Sequence, residues 1–144
     1  MIYIGIDPGL KGGIAFIDED GAHTEPYTGA ALQAICREFA YEETRCCLEQ
    51  VHSMPKQGVA STFKFGMGYG YIKGALEAWS VSYQEIPPQR WKKEFGLNSD
   101  KAESIEVCRR LFPDVSLRAT PKCRTDNDGM AEALLMAEYA RRKL

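Results

Sequence analysis

The chain has 144 residues, 44% of them hydrophobic and 26% charged, with a formal net charge of −2. Such a composition is that of a soluble globular protein, most simply one domain, 1–144, large enough to bury a proper core. The slight acidic excess argues against a protein that coats nucleic acid non-specifically, and no apolar run approaches the ~20 residues that cross a bilayer.

The five cysteines, Cys36, Cys46, Cys47, Cys108 and Cys123, are odd in number and lack CxxC spacing. A zinc site is therefore not expected, and reduced thiols in a cytoplasmic or other reducing intracellular compartment are. No basic leader precedes the first strand, which points the same way.

Ile2, Ile4 and Ile6 alternate with Tyr3, Gly5 and Asp7, the period of two of a half-buried strand. Pro8, Gly9, Gly12 and Gly13 break it, and Ile14, Ala15, Phe16 and Ile17 resume it, which reads as a hairpin. Asp7 stands at the mouth of the turn, either accepting turn amides or held rigidly for chemistry in reach of solvent. Asp18-Glu19-Asp20-Gly21 is a turn signal, and 22–27 is a third strand completing a meander, with Pro26 marking an edge.

Leu32, Ile35 and Phe39 have helical spacing, so the next element is a helix over 30–41. Residues 45–51 (RCCLEQV) read as a short, largely buried strand with Glu49 among Leu48 and Val51. An acid there is hydrogen-bonded, paired or metal-bound, or else it faces solvent, because a lone buried charge costs several kcal/mol. After a loop, 58–79 is a long helix whose Gly66, Gly70 and Gly74 fall on one stripe. Each glycine costs that helix about 1 kcal/mol relative to alanine, so something is expected to approach closely. Packing within the chain is the default, and a dimer contact is the sharper reading. Phe63, Phe65, Tyr69 and Tyr71 flank the stripe, and most of them are expected in the core.

Residues 81–86 form a further strand, stopped by Pro87-Pro88. Gln89-Arg90-Trp91-Lys92-Lys93 is then either a solvated helix start or a phosphate-contacting surface. Asp100 with Glu103 makes a capping pair for a helix carrying Ile105, Cys108 and Leu111, ended by Pro113. The loop over 114–127 brings Arg118, Lys122 and Arg124 as a second basic group. Lys11, Lys56, Lys64 and Lys101 complete the candidate phosphate contacts.

The last helix, over 128–142, carries Asp128 and Glu132 four residues apart on one face of its first turns. Like charges at that spacing repel, and Asp126 crowds the same place. A divalent cation resolves the conflict, Mg²⁺ and Mn²⁺ being hard ions that favour carboxylate oxygens. The order hairpin, helix, strand, helix, strand, helix lets Asp7, Glu49, Asp128 and Glu132 meet over one sheet. Four such acids suit two ions about 4 Å apart acting on a phosphodiester. With only His23 and His52 in the chain, no Ser-His-Asp or Cys-His arrangement competes.

GIDPGLKGGIAF, LEQV, PPQRWKKEFGL with the Lys-starting helix after it, and DNDGMAEALLMAEYA together resemble RuvC-type Holliday-junction resolvases, most nearly the phage and organellar branch. The resemblance spans essentially the whole chain in order and spacing. It implies a ribonuclease-H-like α/β fold with a mixed five-stranded sheet flanked by helices, a homodimer, and two Mg²⁺ or Mn²⁺ ions per active site without a nucleotide cofactor. The implied activity is paired nicking of four-way branched DNA, with Asp7, Glu49, Asp128 and Glu132 as both catalytic and metal-binding acids. Bacterial members space the last two acids by three and end in Asp, which makes Asp126 the alternative to Asp128. They also carry an aromatic near the position of His52 that works at the junction centre; here His52, Phe63 and Phe65 are the candidates. Gly66, Gly70 and Gly74 are the candidate dimer interface.

A ribonuclease H or another nuclease of that fold, acting on branched DNA or RNA–DNA hybrids, is the close alternative; those folds share an early Asp but not the other motifs. An actin-like ATP-binding fragment also has Asp-x-Gly in a hairpin, yet needs a second domain and phosphate loop that 144 residues cannot hold. A non-catalytic junction binder has no reason to keep four acids.

Overall fold

Alternation along the opening strand decides which layer each residue meets. The computed structural model describes residues 1–144. Its strands are β1 (Ile2–Asp7), β2 (Gly13–Ile17), β3 (Ala22–Pro26), β4 (Thr44–Glu49) and β5 (Tyr83–Ile86). Its helices are α1 (Gly29–Glu38), α2 (Val59–Ala78), α3 (Pro88–Glu94), α4 (Lys101–Leu111) and α5 (Asp128–Lys143). The strands form one mixed sheet in the order β3-β2-β1-β4-β5, with β1, β2 and β3 antiparallel in turn and β4 and β5 parallel to β1. No helix is long and apolar enough to cross a membrane.

Ile2, Ile4 and Ile6 point to one face with Cys46 and Leu48, where Leu32 and Ile35 of α1 and Ile72 and Leu76 of α2 cover them. Gly5, Ala15 and Cys47 point to the other face, against α5. Every residue of α5 from Gly129 to Ala140 is buried, because α4 and α3 cover the side turned away from the sheet. A helix apolar nearly all round is what such a middle layer requires.

Gly5 sets how close α5 lies. A Cβ there would stand 2.0 Å from the Ala133 carbonyl oxygen and 2.4 Å from the Ala137 nitrogen, both backbone atoms of α5. Gly5→Ala must therefore push the helix off the sheet, and we expect a loss of more than about 3 kcal/mol, above the usual range for core overpacking. Urea denaturation of the purified variant checks this, and a midpoint equal to the parent's would refute the close packing.

On α2 the structure departs from the sequence reading. Only Ile72, Ala75 and Leu76 are buried; of the four aromatics Tyr69 alone packs against the core, half-buried, Phe65 is half-buried, and Phe63 and Tyr71 are exposed. Along its N-terminal half one side carries the half-buried Phe65, close to Gly9, while Val59, Phe63 and Met67 on another side are left exposed. A Cβ added at Gly66, Gly70 or Gly74 would meet nothing within 4 Å, so the stripe is not packed inside this chain. Beside it, Val59, Phe63, Met67 and Tyr71 recur every fourth residue and are all exposed.

Two smaller differences concern strand and helix ends. Val81 is buried ahead of β5 rather than in it, because α2 ends through Ser80 at φ 57 and the Val81 amide turns back to the Leu76 carbonyl at 2.8 Å. Asp100 caps α4 by accepting from the Ala102 amide at 3.0 Å, but Glu103 accepts from Asn98 instead of closing a box on Asp100.

Candidate active site

β1 and β4 run parallel with Ile6 opposite Leu48, so one residue further along Asp7 and Glu49 leave the same end of adjacent strands. Both fall on the face that α5 covers, the alternate of Ile6 and Leu48. α5 begins at this edge. Asn127 caps it, accepting from the Met130 amide at 2.9 Å, with Asp128 in the first turn and Glu132 one turn later. The start of α5 lies backbone to backbone on the hairpin: a Cβ at Gly13 would be 2.3 Å from the Gly129 carbonyl oxygen, and one at Gly129 would be 2.3 Å from that of Lys11. These glycines bring the helix close enough for Glu132 to hydrogen-bond with Asp7.

The four carboxylates repel one another across a poorly solvated edge. Burial, followed by the charges of Glu49 and Glu132, pushes the Asp7 carboxyl up to about 9; the Glu132 hydrogen bond and Asp128 add to the rise. Burial also raises Glu49, opposed by a hydrogen bond from Trp91 and by the charges of Lys92 and Lys101. It raises Glu132 as well, against the Lys92 charge and the Asp7 hydrogen bond. Lys101, at the start of α4, reaches Asp128 at 3.1 Å and is itself raised by that contact. Asp7 thus keeps its proton at neutral pH first because it is buried and then because other acids surround it, and the second cause marks an excess of negative charge.

No protein-family model and no curated protein sequence matches the chain. Among solved structures it is similar to Thermus thermophilus RuvC in complex with a Holliday junction substrate, at 16% identity and a TM-score of 0.62, over 99% of this chain and 97% of that one. A second Thermus thermophilus RuvC structure matches at 19% identity and a TM-score of 0.57, over 99% and 96% of the two chains. The chain has the RuvC fold. At these identities the likeness is one of architecture, and it covers the ribonuclease-H-like mixed sheet expected from the sequence.

Within that RuvC fold the acids' chemistry fits hard divalent cations: all four donors are carboxylates, and their crowding leaves negative charge for a cation to neutralise. No three His, Cys, Asp or Glu side chains are arranged as a ready-made cage, and Asp7 and Glu132 meet through a hydrogen bond instead. Asp126 is turned elsewhere. Its nearly buried carboxylate is held by Arg109 of α4 and by Arg118 at 3.6 Å, fastening the preceding loop to α4.

The candidate phosphate contacts lie on the surface. Lys11, Lys56, Lys64, Arg90, Lys93, Lys101, Arg118, Lys122 and Arg124 are exposed, and Lys92 is half-buried. Arg118 is engaged within the fold, donating to the Cys123 carbonyl at 2.9 Å as well as pairing with Asp126. His52 and Phe63 are exposed. Phe65 lies between two grooves, one of about 610 Å³ with His52 and Lys56 and one of about 500 Å³ with Gly9, Leu10 and Lys64. The second groove has the Asp7 turn as one wall. Phe65 shares this groove with Tyr69, whose hydroxyl is already committed to Glu85 at 2.6 Å, so of the three junction-contact candidates Phe65 is the one that reaches the Asp7 turn.

The sequence reading missed Trp91. Far from sitting on a solvated helix start, its ring is fully buried and its indole N–H donates to Glu49 at 2.8 Å. The signal was present in the single large aromatic of a basic run, since a buried indole needs a partner for its N–H.

Proposed function

We propose that the chain is a metal-dependent, structure-selective DNA endonuclease that resolves four-way junctions by paired nicks. The observation that carries this is the meeting of Asp7, Glu49, Asp128 and Glu132 at one edge of a RuvC-fold sheet, where burial and then the neighbouring acids keep a proton on Asp7. On this reading 1–144 is one nuclease domain, working in a reducing compartment that suits five free cysteines.

The four acids would hold Mg²⁺ or Mn²⁺, two ions per site, with Asp128 rather than the Arg-bound Asp126 as the third ligand. The chemistry such ions supply is activation of water and stabilisation of the leaving oxygen of a phosphodiester. The chain's own part is to hold the acids on rigid strand ends and a buried helix, and to draw the DNA backbone in. Lys92 and Lys101 lie close enough to the acids to offset their charge and to meet a phosphate approaching the edge. Lys11, Lys56, Lys64, Arg90, Lys93, Lys122 and Arg124 would track the arms, with Phe65 against unstacked bases beside the Asp7 turn. The direct test is a labelled synthetic four-way junction set beside a duplex and an RNA–DNA hybrid, each with and without Mg²⁺. Paired nicks in the junction alone support the proposal; cutting of the hybrid in preference would overturn it for a ribonuclease H.

Two cuts in one junction call for two sites at a fixed separation, and α2 offers the surface to join two copies. Its exposed Val59, Phe63 and Met67 form an apolar stripe beside Gly66 and Gly70, and a two-fold interface uses one patch twice. Gly70→Leu adds bulk there while improving helix propensity by roughly 1 kcal/mol. We expect a folded monomer in sedimentation, with a melting temperature at least the parent's, that nicks junctions singly. A variant that stays dimeric would move the interface elsewhere and leave the catalytic reading intact.

A further inference from the structure

We propose that Trp91 is a positioning residue for the candidate metal site, its indole N–H fixing the Glu49 carboxylate so that one oxygen is committed to the indole and the other is presented to the cation. This rests on the metal-dependent reading above.

The geometry is specific. Trp91 Nε1 donates to Glu49 Oε2 at 2.8 Å, and no other protein donor reaches that carboxylate. Glu49 is the last residue of β4, so its backbone is fixed by the sheet while its side chain has rotatable bonds left to settle. The indole settles them without bringing a charge. A lysine or arginine in its place would also orient the carboxylate, but it would cancel the negative charge on which cation binding depends. A neutral donor with one N–H leaves that charge in place and occupies a single lone pair.

Trp91 can act this way because it is itself immobile. Its ring is 0% exposed, among Cys47, Ile86 and Cys108 and the residues of α5. The short helix that carries it is clasped at its far end: Glu94 pairs with Arg142 at 3.4 Å and with Lys143 at 3.5 Å, both on α5. The Arg142 guanidinium also lies 5.0 Å from the centre of the Phe95 ring. α3 is thus pinned to the same helix that supplies Asp128 and Glu132, so the indole and the acids share one frame.

The chain contains its own control. Trp79, the other tryptophan, donates its indole N–H to Gln33 at 2.8 Å and ties α2 to α1 on the opposite face of the sheet. The same type of bond is made there, away from the acids.

The test is Mn²⁺ binding to the full chain, followed by the electron paramagnetic resonance of free Mn²⁺. Four proteins are compared: the parent, Trp91→Phe, Trp79→Phe, and a chain carrying β-(3-benzothienyl)alanine at position 91. The last replaces the indole N–H by sulfur at nearly constant volume, so it reads out the hydrogen bond even if Trp91→Phe folds poorly. Outer-shell partners of metal ligands typically contribute 10–100-fold in affinity. We expect both changes at position 91 to weaken Mn²⁺ binding by about that factor, while Trp79→Phe stays within twofold of the parent. A purely packing role for Trp91 would lower the melting temperature of Trp91→Phe but leave the benzothienyl chain's Mn²⁺ affinity unmoved, and that result overturns the proposal. A parent chain that binds no Mn²⁺ would overturn the metal reading and this one with it.

Discussion

Asp7→Asn and Glu49→Gln will each lower junction cleavage at least about a thousandfold, some 4 kcal/mol of barrier, while leaving junction binding equal or tighter. The size follows from what each acid does in the proposed site. Either amide keeps the shape of the side chain but removes a negative oxygen from the set that would hold the cations, and neither strand end has a second acid to replace it. Binding moves the other way because the phosphate backbone meets one negative charge fewer. The exposed lysines and arginines that would contact the arms are untouched in both variants. Gel-shift affinities in Ca²⁺, together with single-turnover rates in Mg²⁺, separate the two effects. A rate within tenfold of the parent for either variant would falsify the assignment. Asp126→Asn provides the contrast: it releases Arg109 and Arg118 rather than a metal ligand, so its expected cost appears in the melting temperature more than in the rate.

What could be read from the chain beforehand was what local pattern encodes. The alternation of Ile2, Ile4 and Ile6 gives a strand with Asp7 its last residue, and the apolar run around Glu49 gives a second; that this strand ends at Glu49 and pairs parallel to the first, setting the two acids side by side, is seen only in the fold. Asp128 and Glu132 share a helix face by spacing alone. The parts that were not legible depend on contacts between distant segments. In the sequence Gly5 is one more residue of a strand, Gly13 a turn residue and Gly129 part of a helix, and only the docking of α5 shows that each stands where a Cβ would strike another backbone. Trp91 lies in a run that reads as solvated because four of its neighbours are polar, yet α3 turns its one large ring inward to Glu49. On α2 the aromatic periodicity was real, but periodicity reports an apolar face without saying what covers it. Phe63 and Met67 lie on a face this chain leaves open, whereas Tyr71, further along, accepts a hydrogen bond from Gln33 of α1. Asp126 and Asp128, two residues apart, could be told apart only once α4 was in place to supply Arg109 to the first and Lys101 to the second.

In metal-free buffer the chain will lose stability as pH rises from 5 to 9, and Asp7→Asn will flatten much of that slope. The sign follows from proton counts. The Asp7 carboxyl is raised from 3.8 to about 9 in the folded chain and returns to its ordinary value when unfolded. Between those limits the folded state holds a proton that the unfolded state has released, so each unit of pH costs up to about 1.4 kcal/mol. Burial raises Glu49 and Glu132 too, so their contributions have the same sign and some slope survives in the variant. Glu138 contributes in the opposite sense, being held low by Arg141 and Arg142 despite its burial. Its effect falls at and below the ordinary carboxylate range, outside this window. At pH 8 the amide variant, which carries no charge to bury, should therefore melt several degrees above the parent. Mg²⁺ closes the gap from one side, since a cation that binds only the folded chain stabilises it by mass action. Added at pH 8, Mg²⁺ should raise the melting temperature of the parent strongly and that of Asp7→Asn little. Calorimetry across pH 5–9 with and without Mg²⁺ supplies all four curves. Parallel slopes for parent and variant, or equal responses to Mg²⁺, would mean that Asp7 does not share its charge with Glu49 and Glu132, and the site would lose its centre.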